Sequence, residues 1–113
     1  MDDALKQRIE GTIGQSRVVL FMKGSKHFPQ CGFSAAVVRA LQSCGASFAY
    51  VNIFEDPELR DALKQYSNWP TYPQLYVGGE LVGGSDIITE MHQNGELQAV
   101  LQGAGVVEAS ELR

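Results

Sequence analysis

The sequence predicts an α/β domain: a four-stranded mixed sheet with helices on both faces. Three observations carry this. Two β-branched apolar runs, Arg17-Val-Val-Leu-Phe-Met22 and Phe48-Ala-Tyr-Val-Asn-Ile53, flank a stretch of helical period. A βαβ unit of that kind requires parallel strands and a right-handed crossover. Two further short runs, Leu75-Tyr-Val77 and Glu80-Leu-Val82, are separated by Gly78-Gly79. A two-residue glycine turn makes them an antiparallel hairpin. Helical periods before, between and after the strands complete the order α-β-α-β-α-β-β-α and supply layers for both sheet faces.

Each element has its own local signal. Leu5, Ile9 and Ile13 recur at helical spacing, so residues 3–14 read as a helix that Gly14 helps to end. The strand at 17–22 is nearly all apolar, as a strand buried on both faces should be. Gly24 to Gln30 has loop composition and contains Pro29. Phe33, Val37, Leu41 and Cys44 mark a helix over 31–44, and Gly45 suits the left-handed position that closes it. Asp56-Pro57 is a cap followed by a proline at the first helical position, and that helix runs to about Ser67. Trp69-Pro-Thr-Tyr-Pro-Gln74 leads into the hairpin. Gly83-Gly-Ser-Asp86 is a tight loop before a helix, with Ser85 or Asp86 as the cap. Residues 86–94 and 95–102 read as two helical pieces broken near Gly95, and the last ten residues as a fraying tail.

The 113 residues form one domain, 1–113, with its core over about 3–102 and the tail at 104–113. Apolar residues make up 44%, enough for a packed core. There is no apolar run long enough to span a membrane, and Met1-Asp2-Asp3 does not open a secretory signal or a transit peptide. The expectation is a cytoplasmic protein with reduced thiols. The formal net charge of −4 is uneven: residues 1–54 carry +3 and residues 55–113 carry −7. An acidic chain argues against nucleic-acid binding. No acid lies between Gly11 and Phe54, where Arg17, Lys23, Lys26 and Arg39 fall. Such a zone is a solvated surface or an attractor for a small anion.

Two cysteines cannot staple a chain of this size, so their placement decides their use. Cys31 sits after the first strand at the start of a helix. Free amides and the dipole at a helix N-terminus stabilise an anion, so its thiol pKa should fall. Lys23 and Lys26 should add positive potential. The local pattern is Cys31-Gly-Phe-Ser34, so the second sulfur of a dithiol motif is replaced by an oxygen. No disulfide can close within it, and an external thiol must complete any redox cycle. Cys44 lies thirteen residues on, roughly 20 Å along the helix at 1.5 Å per residue. It falls on the apolar face near the negative end of the dipole and reads as packing.

Four motifs in register, Lys23-Gly24, Cys31-Gly-Phe-Ser34, Trp69-Pro-Thr-Tyr-Pro-Gln74 and Gly83-Gly-Ser-Asp86, resemble the monothiol glutaredoxins of the CGFS type. The resemblance covers roughly residues 3–102. It implies a thioredoxin-like fold, glutathione binding, and a 2Fe–2S cluster bridged between two subunits, with a role in iron–sulfur transfer and iron homeostasis. It implies a cis peptide before Pro73, with the Tyr72 backbone pairing with glutathione in a strand-like way. Lys23 and Arg60 would meet the glycine carboxylate of the tripeptide. The Ser85 amide would hold the γ-glutamyl carboxylate and the Asp86 carboxylate its ammonium. Taken alone, Arg60 reads as a surface charge pairing with Asp56 or a neighbour of Lys64, and Asp86 as a helix cap. Trp69 reads as packing, and His27 and His92 as exposed bystanders. Ser85 stands where the family frequently has cysteine, which removes a candidate resolving thiol. Tyr72 stands where Phe or Ile is common.

A 2Fe–2S cluster needs four ligands, usually thiolates. Cys31 from two chains supplies two, and two glutathione thiols complete the set. That arrangement suits a carrier, with a homodimer formed through the cluster and with BolA-like proteins or apo iron–sulfur proteins as partners. The competing reading is an enzyme, in which Cys31 reduces protein–glutathione mixed disulfides by a monothiol route.

Overall fold

The computed structural model describes residues 1–107. The chain runs α1 (Asp3–Ile13), β1 (Val18–Met22), α2 (Gly32–Ser43), β2 (Ala49–Asn52), a 3-10 turn (Ile53–Glu55), α3 (Pro57–Ser67), β3 (Gln74–Val77), β4 (Glu80–Gly83), α4 (Ser85–Asn94) and α5 (Glu96–Gly103). The sheet order is β2-β1-β3-β4. β1 pairs parallel with β2 and antiparallel with β3, and β3 pairs antiparallel with β4. The mixed sheet expected from the sequence is therefore the one observed.

Burial of every β1 residue explains its unbroken apolar run. Val18, Leu20 and Met22 face one core with Val37 and Leu41 of α2, Ile88 of α4, and Leu97 and Leu101 of α5. Val19 and Phe21 face the other with Ile9 and Ile13 of α1, and Leu59 and Leu63 of α3. Successive strand residues point to opposite faces, so one five-residue strand seeds both layers. Each such side chain contributes about 1.5–3 kcal/mol on burial.

Helix ends follow the local chemistry. Asp2 caps α1 by accepting from the Leu5 amide at 2.7 Å. Asp56 caps α3 through the Leu59 amide at 3.1 Å and also pairs with Arg8, tying α1 to α3. Gly45 takes φ +71 after α2, and the Ala46 amide reaches back to the Leu41 carbonyl at 3.1 Å. That is the left-handed closure expected there.

Three expectations need correction. The strand expected over 48–53 is shorter, because the Asn52 side chain accepts from the Phe54 amide at 3.0 Å and turns the chain into the 3-10 segment. The cap of α4 is Gly84, without a side-chain cap bond, rather than Ser85 or Asp86. The expected tail begins as packed chain: Val107 is buried, the Val106 carbonyl accepts from the Ser47 amide, and Arg17 donates to the Ala104 carbonyl at 2.8 Å. The rest of that tail, 108–113, lies outside the described residues.

Candidate functional site

The turn from β1 into α2 presents Cys31 as the N-cap residue of α2, partly exposed and with extended backbone. The preceding loop is compact. Gly24 adopts φ +96, and a Cβ there would lie 2.5 Å from the Phe28 carbonyl oxygen, so only glycine fits. The Gly24 amide donates to Asn52 Oδ1 at 3.1 Å, and the Gln30 amide to the Lys23 carbonyl at 2.9 Å. Lys26 leaves the site. Its ammonium donates to the Phe48 carbonyl at 3.0 Å and sits 4.1 Å from the Phe48 ring centre. It therefore does not supply the potential at Cys31 that the sequence suggests.

Partial burial pushes the Cys31 thiol up, but the groups around it outweigh that and hold its pKa below the ordinary thiol value. The lowering comes from the Ser34 and Phe33 backbone amides at the helix end, the positive charge of Lys23 and the Ser34 hydroxyl, although the Cys31 side chain makes no cap hydrogen bond to α2. The helix end and Lys23 are legible in the sequence, whereas the role of Ser34 is not. That residue is fully buried, and its Oγ also accepts from the Lys23 amide at 3.1 Å. Its signal lies in its position, where a dithiol motif would place the second sulfur. Cys44 is buried on α2, and burial pushes its thiol up, as expected for a packing residue.

A groove of about 320 Å³ lies between the β1–α2 turn, the 69–73 loop and the start of α4. Its walls include Lys23, Phe33, Trp69, Thr71, Tyr72, Ser85, Asp86 and Ile87. A second cleft shares Lys23, Thr71 and Tyr72 with it and adds Arg60, Asp61 and Lys64. The structure thus gathers Lys23, Tyr72, Ser85 and Asp86 around one groove and Arg60 beside it. Cys31 stands at the neighbouring helix end, joined to the groove through Lys23 and Phe33.

The side-chain environments sharpen several alternatives. Arg60 pairs with Asp61 at 3.2 Å on the surface rather than with Asp56, which Arg8 occupies. Such an exposed pair is weak and leaves the guanidinium available. Asp86 is exposed at the start of α4 with no capping duty. The Tyr72–Pro73 peptide is cis. The Tyr72 ring is buried, its hydroxyl donates to the Arg60 carbonyl at 2.6 Å, and burial pushes its pKa well above the ordinary range. Among the described residues, no backbone hydrogen bond engages the Tyr72 amide or carbonyl. Trp69 lines the groove and comes close to Gly84, where a Cβ would meet its Nε1 at 3.3 Å. His27 and His92 are exposed. Phe28 and Phe33, flanking Cys31, are 77% and 64% exposed, which leaves apolar surface around the thiol.

No group of three or more His, Cys, Asp or Glu that could hold a metal occurs among the described residues. No helix among them is long and apolar enough to cross a membrane.

The glutaredoxin family model matches residues 18–82. The chain is 50% identical to Glutaredoxin 4 of Escherichia coli K12 over 105 residues, covering 93% of this chain and 91% of that one. It is 57% identical over 86 residues to the probable monothiol glutaredoxin GrlA of Legionella pneumophila, covering 76% and 97%. Among solved structures, it is similar to reduced apo GrxS14 of poplar, with a TM-score of 0.78, 51% identity, and 89% and 93% of the two chains covered. It is also similar to the holo form of glutaredoxin C1 from Populus tremula x tremuloides, with a TM-score of 0.82, 30% identity and 93% of each chain covered. A single activated thiol followed by a buried serine, on this fold and with these relatives, places the chain in the glutaredoxin family as a monothiol glutaredoxin.

Proposed function

We propose that this protein binds glutathione in the groove beside Cys31 and carries a 2Fe–2S cluster bridged between two copies of itself. The observation that carries the reading is the ligand count. One activated, accessible thiol stands at the site, the other cysteine is buried with a raised pKa, and no metal-holding cluster lies among the described residues. A cluster needs four ligands, so two chains and two external thiols are required. Glutathione suits the second role, because the groove offers complementary groups at both ends of the tripeptide. Lys23 and Arg60 receive the glycine carboxylate. The free amides at the start of α4, beginning with Ser85, receive the γ-glutamyl carboxylate, and Asp86 its ammonium. The unpaired Tyr72 backbone receives the cysteine part. The relative solved in a holo form supports a bound group on this fold.

Borrowed, exchangeable ligands at a subunit interface suit transfer, so the cluster is cargo. Apo iron–sulfur proteins are the proposed recipients, and BolA-like proteins the proposed alternative to a second copy. The proposed compartment is the cytoplasm, where the thiols stay reduced. The test is anaerobic reconstitution with iron, sulfide and glutathione. Visible absorption and a dimeric mass are expected, both lost in Cys31→Ser and both dependent on glutathione. A Cys31→Ser protein with undiminished cluster content refutes the reading.

The lowered Cys31 pKa also favours a second reaction. The thiolate attacks the glutathione sulfur of a mixed disulfide, the target thiolate leaves, and a second glutathione releases Cys31 as glutathione disulfide forms. Steady-state turnover with a glutathionylated peptide measures it, and negligible turnover excludes it.

A further inference from the structure

Gln74 opens β3 and is fully buried despite being polar. Its Nε2 donates to the Trp69 carbonyl at 3.1 Å and to the Thr71 carbonyl at 3.2 Å. Its Oε1 accepts from the Tyr76 hydroxyl at 3.0 Å. Both amide protons are therefore spent on the 69–73 loop, and the phenol fixes which end of the amide faces it. The consequence for the groove follows from peptide geometry. A planar trans peptide points its C=O and N–H in opposite directions. The Thr71–Tyr72 bond is not among the cis peptides, so a Thr71 carbonyl drawn inward to Gln74 turns the Tyr72 N–H away from it. Tyr72 lines the groove, and its amide has no backbone partner among the described residues.

We propose that Gln74 is a positioning residue, held in orientation by Tyr76, that aims the Tyr72 N–H into the groove for a peptide-like ligand. The proposal rests on the reading that glutathione pairs with the Tyr72 backbone. Ser67 anchors the other end of the same loop by accepting from the Trp69 amide at 3.1 Å. The loop is thus set from both sides before any ligand arrives.

The test uses the full chain, 15N-labelled, as wild type, Gln74→Glu and Tyr76→Phe, titrated with reduced glutathione under anaerobic conditions between about pH 5.5 and pH 8. The carboxylate introduced by Gln74→Glu faces two carbonyls with no proton to give, so affinity should fall about tenfold at the alkaline end. Protonation restores one donor, so affinity should recover on acidification relative to wild type. Tyr76→Phe should lose severalfold, with a displaced Tyr72 amide resonance. Wild-type affinity and an unmoved Tyr72 amide in both variants overturn the proposal, as does a pH-independent loss in Gln74→Glu. If Gln74→Glu does not fold, Tyr76→Phe decides alone. If wild type itself does not bind glutathione, the glutathione reading falls. The positioning role is then judged on the Tyr72 amide shift and hydrogen exchange in the ligand-free chain, and an unmoved signal overturns it.

Discussion

Replacing Ser34 with alanine separates the thiol's activation from the fold that supports it. The Ser34 hydroxyl is one of the groups that lower the Cys31 pKa, and it accepts from the Lys23 amide at 3.1 Å. Alanine keeps the backbone amides of Ser34 and Phe33 in place and removes only the hydroxyl. A hydrogen bond to a charged acceptor contributes about 1.5–3 kcal/mol when sheltered. Cys31 is partly exposed and the hydroxyl is the smallest of the groups acting on it, so about 1 kcal/mol is the upper bound. That corresponds to at most a roughly fivefold smaller thiolate fraction at pH values below the thiol's pKa. On the stability side, the Lys23 amide loses its acceptor at a fully buried position, which costs about 1–2 kcal/mol. The assay is the pH profile of iodoacetamide alkylation at Cys31, read by mass spectrometry of its peptide, with Cys44 kept silent by burial. The half-maximal pH should move up while the limiting alkaline rate stays near wild type. A half-maximal pH that is unchanged or lower refutes the assignment of the Ser34 hydroxyl as a group that lowers the Cys31 pKa.

Other consequences can be measured independently. Lys23→Gln and Arg60→Gln should each weaken glutathione binding about five- to tenfold by calorimetry, and Lys26→Gln should leave it unchanged, since Lys26 is held on Phe48. The Cys31 pKa is depressed from an ordinary 9.0, so its contribution to stability is complete above that value and is lost as pH falls through the folded one. Denaturant titrations should therefore show the stability of wild type relative to Cys31→Ser growing as pH rises toward about 9. Burial pushes Tyr76 from 10.0 up to about 12, so the fold keeps that phenol neutral, and the associated stability is lost as pH rises through this window. Tyr76→Phe should flatten part of that alkaline loss in circular dichroism, leaving the share due to Tyr72.

The sheet is legible in the sequence because each strand carries a local signature: β1 is continuously apolar and the hairpin is marked by paired glycines. Asp56-Pro57 and Gly45 mark helix ends for the same reason, since those residues act on the backbone next to them. What escapes depends on partners distant in sequence. Asn52 ends β2 early by bonding to Gly24, 28 residues away, as well as to its near neighbour Phe54. Lys26 looks like part of the thiol's field but finds the Phe48 carbonyl 22 residues on. At the site, Cys31 and Lys23 can be read from their place at a strand end and a helix start. Ser34 and Gln74 cannot, because a buried polar residue shows its purpose only through the groups it satisfies. Ser85 and Asp86 have the chemistry of caps, yet the glycine cap at 84 leaves both free.

That distinction bears on how the groove works. Among the described residues, no buried side-chain nitrogen or oxygen lacks a partner. Ser34, Gln74, Tyr76 and Ser67 spend their hydrogen-bonding capacity on the walls. The groups left unspent are the Tyr72 backbone, the first amides of α4, Lys23, Asp86 and the weakly paired Arg60. They face the groove or the cleft beside it. A wall satisfied in advance loses little conformational entropy on binding, so under the proposed function the residual groups would act as a fixed template for one small zwitterionic peptide. The thiolate beside that template is single and has no partner sulfur within its own chain. Its reactivity is therefore open to a sulfur from outside the chain, and under the proposed function the tripeptide held in the groove would set what Cys31 does next.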